Sequence, residues 1–235
     1  MNYLTRMYLN PRRRQTIRFL RDPQALHAAV ESAFPPRGDF SRTLWRLDAD
    51  GDERKLLILS AEPPSLEHLQ EQAGWANEIT WESRPYGSLL SRLTRGQQYA
   101  FRLTANPVHS VLLPTGKRKR LAHVSVPYQL MWLAQRAEQI GVRFLDEDGR
   151  TTEPLADRRA PGGGLTSVLV SHRETLHFRR GAQQVTIARA RFEGSLEVVD
   201  VERLRDALTQ GVGKAKAYGC GLLTLAPLQQ TTAGE

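Results

Sequence analysis

At 235 residues, 40% of them apolar, the chain is long enough for one large or two small packed domains. Its 33 Lys and Arg against 25 Asp and Glu give a formal charge of +8, which favours a polyanionic partner, nucleic acid or an anionic surface, over neutral or acidic ones. A single cysteine, Cys220, excludes an internal disulfide framework and a multi-cysteine metal site, and no apolar run approaches the ~20 residues needed to span a bilayer.

The amino terminus runs into an arginine cluster and lacks the apolar core and small-residue cleavage site of a secretory signal, so a soluble, cytoplasmic protein with no membrane partner is expected. Residues 3–9 alternate like a strand and end at Asn10-Pro11. Arg12, Arg13 and Arg14 follow, then Arg18 and Arg21. Asp22 is a helix cap with Pro23 in the first turn, and Leu26, Ala29, Val30 and Ala33 keep helical spacing up to Pro35-Pro36. Residues 43–47 and 55–60 flank Asp50-Gly51-Asp52, a hairpin signature. A second helix over 64–73 and a closing strand over 98–103 complete the order β-α-β-β-α-β of a ferredoxin-like domain.

The second half reads the same way: a strand over 108–113, a helix over 128–140, a strand over 142–145, a Gly/Pro-rich connection over 146–164, long strands over 167–178 and 185–198, a helix over 200–210 capped by Asp200, and a last strand over 221–225. The fold class is α+β, two tandem ferredoxin-like (RRM-like) domains at 1–105 and 106–228, with a tail at 229–235.

Between the last helix and last strand lie Gly211, Gly213, Gly219 and Gly221, with Lys214 and Lys216 among them. Glycines let backbone amides approach an anionic ligand and lysines add charge, which suits phosphate. Helix capping by Gly211 and close packing at Gly219 and Gly221 explain the glycines equally well. Tyr218 in this loop is either a base-stacking or a core residue. Lys117, Arg118, Lys119 and Arg120 form a basic patch in an expected loop, and Arg158 with Arg159, Arg179 with Arg180, and Arg189 with Arg191 are further cations able to meet a groove; a solvated charged face is the alternative for each. Of six histidines only His172 and His177 are close in sequence, and five apart on a strand they face opposite sides, against a shared metal. Walker, dinucleotide and Gly-X-Ser-X-Gly motifs are absent.

Five segments in order, Leu9-Asn10-Pro11 after the opening strand, Asp22-Pro23-Gln24-Ala25-Leu26-His27, Phe101 to Pro107, Phe192-Glu193-Gly194 with Leu196-Glu197-Val198, and the Gly-rich tail, resemble the CasE family, the CRISPR repeat-processing endoribonucleases of type I-E systems. The resemblance implies a protein that binds the stem-loop of a CRISPR repeat transcript, cuts it at the stem base by attack of the 2′-hydroxyl, needs no metal or other cofactor, and keeps the mature crRNA as a subunit of Cascade with other protein subunits. His27 matches the family's catalytic histidine, and Glu31 lies one turn later, placed to orient it. Relatives carry a tyrosine three residues before this histidine. Here that residue is Gln24, whose amide can hydrogen-bond RNA but cannot act as acid or base. The resemblance also places the tail loop against bound RNA. A non-cleaving RNA-binding subunit of the same architecture is the second reading.

Overall fold

The computed structural model describes residues 2–36, 43–146, 165 and 167–228. The chain opens with β1 (Tyr3–Tyr8), α1 (Arg14–Arg21), α2 (Pro23–Glu31), β2 (Leu44–Asp50), β3 (Glu53–Ser60), α3 (Glu67–Ala73) and β4 (Trp81–Pro85). Asp22 accepts from the backbone of Gln24 and Ala25 at 3.0 and 3.2 Å and Pro23 takes the first turn, so α2 begins where the sequence places it. Asp50 pairs Glu53 across a two-residue turn in which Gly51 has φ +53, the conformation that two-residue hairpins demand. The strands form an antiparallel sheet in the order β2-β3-β1-β4.

There follow α4 (Gly87–Leu90), β5 (Gln98–Ala105), β6 (Val108–Leu112), β7 (Arg118–Ala122), α5 (Val126–Ala134), α6 (Ala137–Ile140), β8 (Val142–Phe144), β9 (Leu169–Arg180), β10 (Gln183–Val198), α7 (Val201–Gln210), a 3-10 turn (Lys216–Tyr218) and β11 (Leu223–Pro227). The second sheet runs β11-β5-β10-β8, and the first half of the long β10 extends beyond it in a hairpin with β9. Both sheets share one order: fourth, first, third, second. The fold is a tandem ferredoxin-like α+β protein.

The strand over 98–103, expected to close the first sheet, instead opens the second: β5 pairs with β10 and β11. The first sheet is closed by Trp81–Pro85, an edge strand without a single buried residue, which therefore carries no apolar alternation to read. A division at 105/106 thus separates β5 from β6 while β5 belongs with β10. The strand over 108–112 is one arm of a separate two-stranded ribbon, β6-β7. Helix α1 adds an element to the sequence reading, which treats its arginines only as a basic cluster; Thr16 and Phe19 are its buried residues. The helix expected over 128–140 is broken into α5 and α6.

Strand alternation gives the first sheet two different faces. Met7, Trp45, Leu56 and Ile58 pack under Leu26 and Val30 of α2 and Leu69 of α3. The opposite face presents Leu44 and Leu59 to a core that continues through Phe101, Leu103, Trp132, Phe192 and Leu204 of the second half. Between the sheets that core gives way to charge. Arg46, 2% exposed, donates to Asp48 at 2.8 Å and to the carbonyls of Arg102 and Leu222 at 2.9 Å. Arg102 donates to Asp50 at 2.7 Å and to Glu193 at 2.6 Å, and Arg191, also 2% exposed, pairs with Asp50. Buried charges of this kind persist only when paired and hydrogen-bonded.

Candidate functional site

His27 follows buried Leu26 on α2, so its side chain leaves the helix at the margin of the apolar stripe and is 27% exposed. Its Nδ1 stands 3.8 Å from Glu31 Oε1, an ion-pair separation longer than a hydrogen bond. Gln24 lies one turn earlier on the same face, and its Oε1 is buried with no hydrogen-bond partner among the described residues.

The glycine-rich loop passes over the edge strand β2 beside this helix. At Gly219, φ +76, an added Cβ falls 2.6 Å from the Trp45 ring; at Gly221, φ +94, it falls 2.9 Å from the Val212 carbonyl. Both positions need glycine on conformational and steric grounds. Gly211 caps α7 through its N–H to the Ala207 carbonyl, and Gly213 abuts Trp132. The Val212 N–H donates to the Gly221 carbonyl at 2.8 Å and the Gly221 N–H to Thr104 at 2.7 Å, so these amides are committed to the loop's own shape. Of the two loop lysines, Lys214 is exposed, whereas Lys216 Nζ donates to the Gln210 carbonyl at the end of α7.

What the loop carries to the site is Tyr218. Its ring lies edge-on to His27, centroids 6.2 Å apart at 67°, and 4.7 Å from Phe178 of β9 on the other side. Phe178, Ile187 and Cys220 form a small core there, and burial pushes the Cys220 thiol up to about 12. Tyr218 thus borders that core, as one of its two sequence readings has it, and in addition faces the histidine.

The cations fall into separate groups. Arg13, Arg14 and Arg18 line an open depression of ≈ 610 Å³ with Gln15 and Gln72, and exposed Arg12 precedes them, its N–H on Asn10 Oδ1. Helix α1 packs on α2, so this group neighbours the helix of His27. Lys117, Arg118, Lys119 and Arg120 are all exposed; the last three lie on strand β7, not in a loop. Arg179 is exposed beside Phe178. Arg158 and Arg159 lie outside the described residues. Arg189 pairs with Glu174 at 2.6 Å, and Arg191 is buried on Asp50, so Arg191 serves the join between the sheets rather than a groove.

One cluster is invisible to sequence reasoning. His109 and His123 pack with ring centroids 4.4 Å apart, tilted by 32°, at the root of the β6-β7 ribbon, with Tyr128 stacked on His123 at 6.0 Å. The ribbon register, Val108 opposite Ala122, brings them together; spacing in sequence singles out His172 and His177 instead. Burial, then His109 and Arg136, lower the His123 pKa. Among the described residues no group of three or more His, Cys, Asp or Glu is placed to hold a metal ion, and no helix is long and apolar enough to cross a membrane.

Fold and site together define a basic, tandem ferredoxin-like protein with a histidine set between its first helical layer and a loop of its second half. A family model described as CRISPR associated protein matches residues 2–227. The CRISPR-associated endoribonuclease Cse3 of Thermus thermophilus is 34% identical over 235 residues, covering 96% of this chain and 100% of that protein. The Cascade subunit CasE of Escherichia coli is 30% identical over 145 residues, 58% of this chain and 62% of that one. Among solved structures, Thermus thermophilus Cse3 bound to an RNA representing a pre-cleavage complex superposes with a TM-score of 0.72 at 32% identity over 96% of this chain and 99% of that chain. This chain belongs to the CasE family of CRISPR-associated proteins.

Proposed function

We propose that this protein, an RNA-processing member of its family, binds the stem-loop of a CRISPR repeat transcript and cuts it once at the base of the stem without a metal ion. His27 accepts the proton of the 2′-hydroxyl beside the scissile phosphate. The freed oxygen attacks phosphorus, the bond to the 5′ oxygen breaks, and that oxygen takes up a proton, leaving a 2′,3′-cyclic phosphate and a 5′-hydroxyl. A positioned base of this kind contributes on the order of 10²–10⁴-fold. Charge gathers on the phosphoryl oxygens as the bond breaks, and exposed Lys214 with the arginines of α1 supply the nearby positive field. The basic ribbon grips stem phosphates, which suits duplex RNA read by shape and backbone. The product is kept as crRNA within Cascade, the assembly for which the Escherichia coli relative is named.

The observation that carries this reading is the setting of His27: half-buried on a capped helix, facing a loop whose conformation its glycines fix. Cleavage of the cognate repeat hairpin in EDTA tests it, with native RNA against RNA carrying a 2′-deoxy before the scissile phosphate. Native RNA is expected to be cut and the deoxy RNA only bound. Cleavage of the deoxy RNA, or loss of native cleavage in EDTA that added metal restores, overturns the mechanism. Gln24, an amide where relatives carry a phenol, favours one other reading, a non-cleaving RNA-binding subunit; tight binding with no cut at all selects it.

A further inference from the structure

We infer that Tyr218 is a positioning residue for His27: its ring, braced by the β9-β10 hairpin, sets the plane of the imidazole. The inference rests on the reading of His27 as general base. An imidazole on a helix turns about two side-chain torsions, and proton transfer from a 2′-hydroxyl requires one particular orientation. The Tyr218 contact, 6.2 Å between centroids at 67°, has the edge-to-face geometry that aromatic pairs prefer.

Tyr218 is itself held from three directions. Phe178, 9% exposed, lies 4.7 Å behind it and is anchored with Ile187 and Cys220. Its own N–H donates to the Ala215 carbonyl at 2.9 Å, closing a turn in which Ala215 sits at φ +63, a conformation non-glycine residues hold only when their surroundings impose it. On the other flank Gly219 lies against the Trp45 ring so closely that no side chain fits. Position therefore passes from the hairpin through Phe178 to Tyr218 and on to His27. The base stands on the first sheet's helical layer and is oriented by a loop and hairpin of the second, so the working site exists only when both halves are assembled.

The test is single-turnover cleavage at saturating protein, with affinity for the 2′-deoxy hairpin measured in parallel. Tyr218→Leu is expected to slow the saturated rate by ~10–100-fold, the scale of a misplaced catalytic group, with unchanged affinity and a displaced acid limb in the pH–rate profile. Tyr218→Phe, which keeps the ring, restores most of the rate and the native profile. Should Tyr218→Leu fail to fold, Phe178→Leu carries the test, slowing the same step with affinity intact. A native rate and profile in Tyr218→Leu, with His27→Ala inactive, overturns this inference alone. A native rate in His27→Ala overturns the general-base reading and this inference with it. Affinity loss without a change in saturated rate makes Tyr218 an RNA contact only. Equal loss in Tyr218→Phe and Tyr218→Leu assigns the work to the phenol hydroxyl, again against ring positioning.

Discussion

His27 and Gln24 share a helical face, yet their side chains offer different chemistry, an imidazole that exchanges a proton near neutral pH and an amide that cannot. Gln24 Oε1 is buried and unpaired among the described residues, an arrangement that costs ~1–3 kcal/mol and that an RNA hydroxyl can relieve. His27→Ala is therefore expected to slow single-turnover cleavage by ~10²–10⁴-fold, and Gln24→Ala by only ~2–10-fold, the value of one neutral hydrogen bond. Equal losses in the two variants defeat this ranking. At this scale the sequence is informative where chemistry is local: Asp22 caps α2 as its position next to Pro23 requires, and His27 falls where the helical stripe ends. It is silent where partners come from far along the chain. Tyr218 is brought beside His27, and His109 beside His123, by tertiary pairing alone.

The β6-β7 ribbon is a two-stranded sheet of its own, and its four cations point to solvent rather than into a core. Their removal should leave the fold intact and act on RNA alone. Replacing Lys117, Arg118, Lys119 and Arg120 by glutamine is expected to weaken stem binding and to flatten the slope of log affinity against log salt by up to ~0.9 for each phosphate that is no longer neutralised. An affinity series across salt concentrations measures this, and an unchanged slope shows that the ribbon does not touch the backbone. Elements are legible in proportion to burial. The long hairpin of β9 and β10 and the capped helices α2 and α7 stand close to their expected bounds, because alternation, caps and turn residues agree there. Strand β4 is not legible, since an edge strand with no buried residue leaves little pattern, whereas helix α1, with Phe19 buried, is masked by arginines that read as a basic cluster. Without β4, a sequence reading places β5 in the wrong sheet.

The repeated β-α-β-β-α-β order makes the tandem architecture readable, but the join between its halves is hidden. Arg46, Asp48 and Asp50 alternate with Trp45 and Leu47 along β2 and look like the solvent side of a half-buried strand; in the fold that side meets the second sheet. Asp48 is 4% exposed and held by Arg46, so Asp48→Ala leaves the buried Arg46 guanidinium without its carboxylate and is expected to cost ~3–5 kcal/mol in urea unfolding. The same join contributes to acid stability through Asp50. Burial by itself raises the Asp50 pKa, but hydrogen bonds from Arg191 and Arg102 and their charge outweigh it and hold the carboxyl below its usual 3.8. A folded-state value below the unfolded one gives stability that is present above the unfolded pKa and is lost as pH falls through the folded one. Asp50→Asn should therefore lower stability near neutrality and remove part of the steep loss below about pH 4, the ordinary carboxylate range. Unfolding midpoints measured from neutral to acid pH decide it: parallel curves for the two proteins exclude Asp50 as a source of the acid limb, whereas converging curves place that limb at the join on which the site's geometry depends.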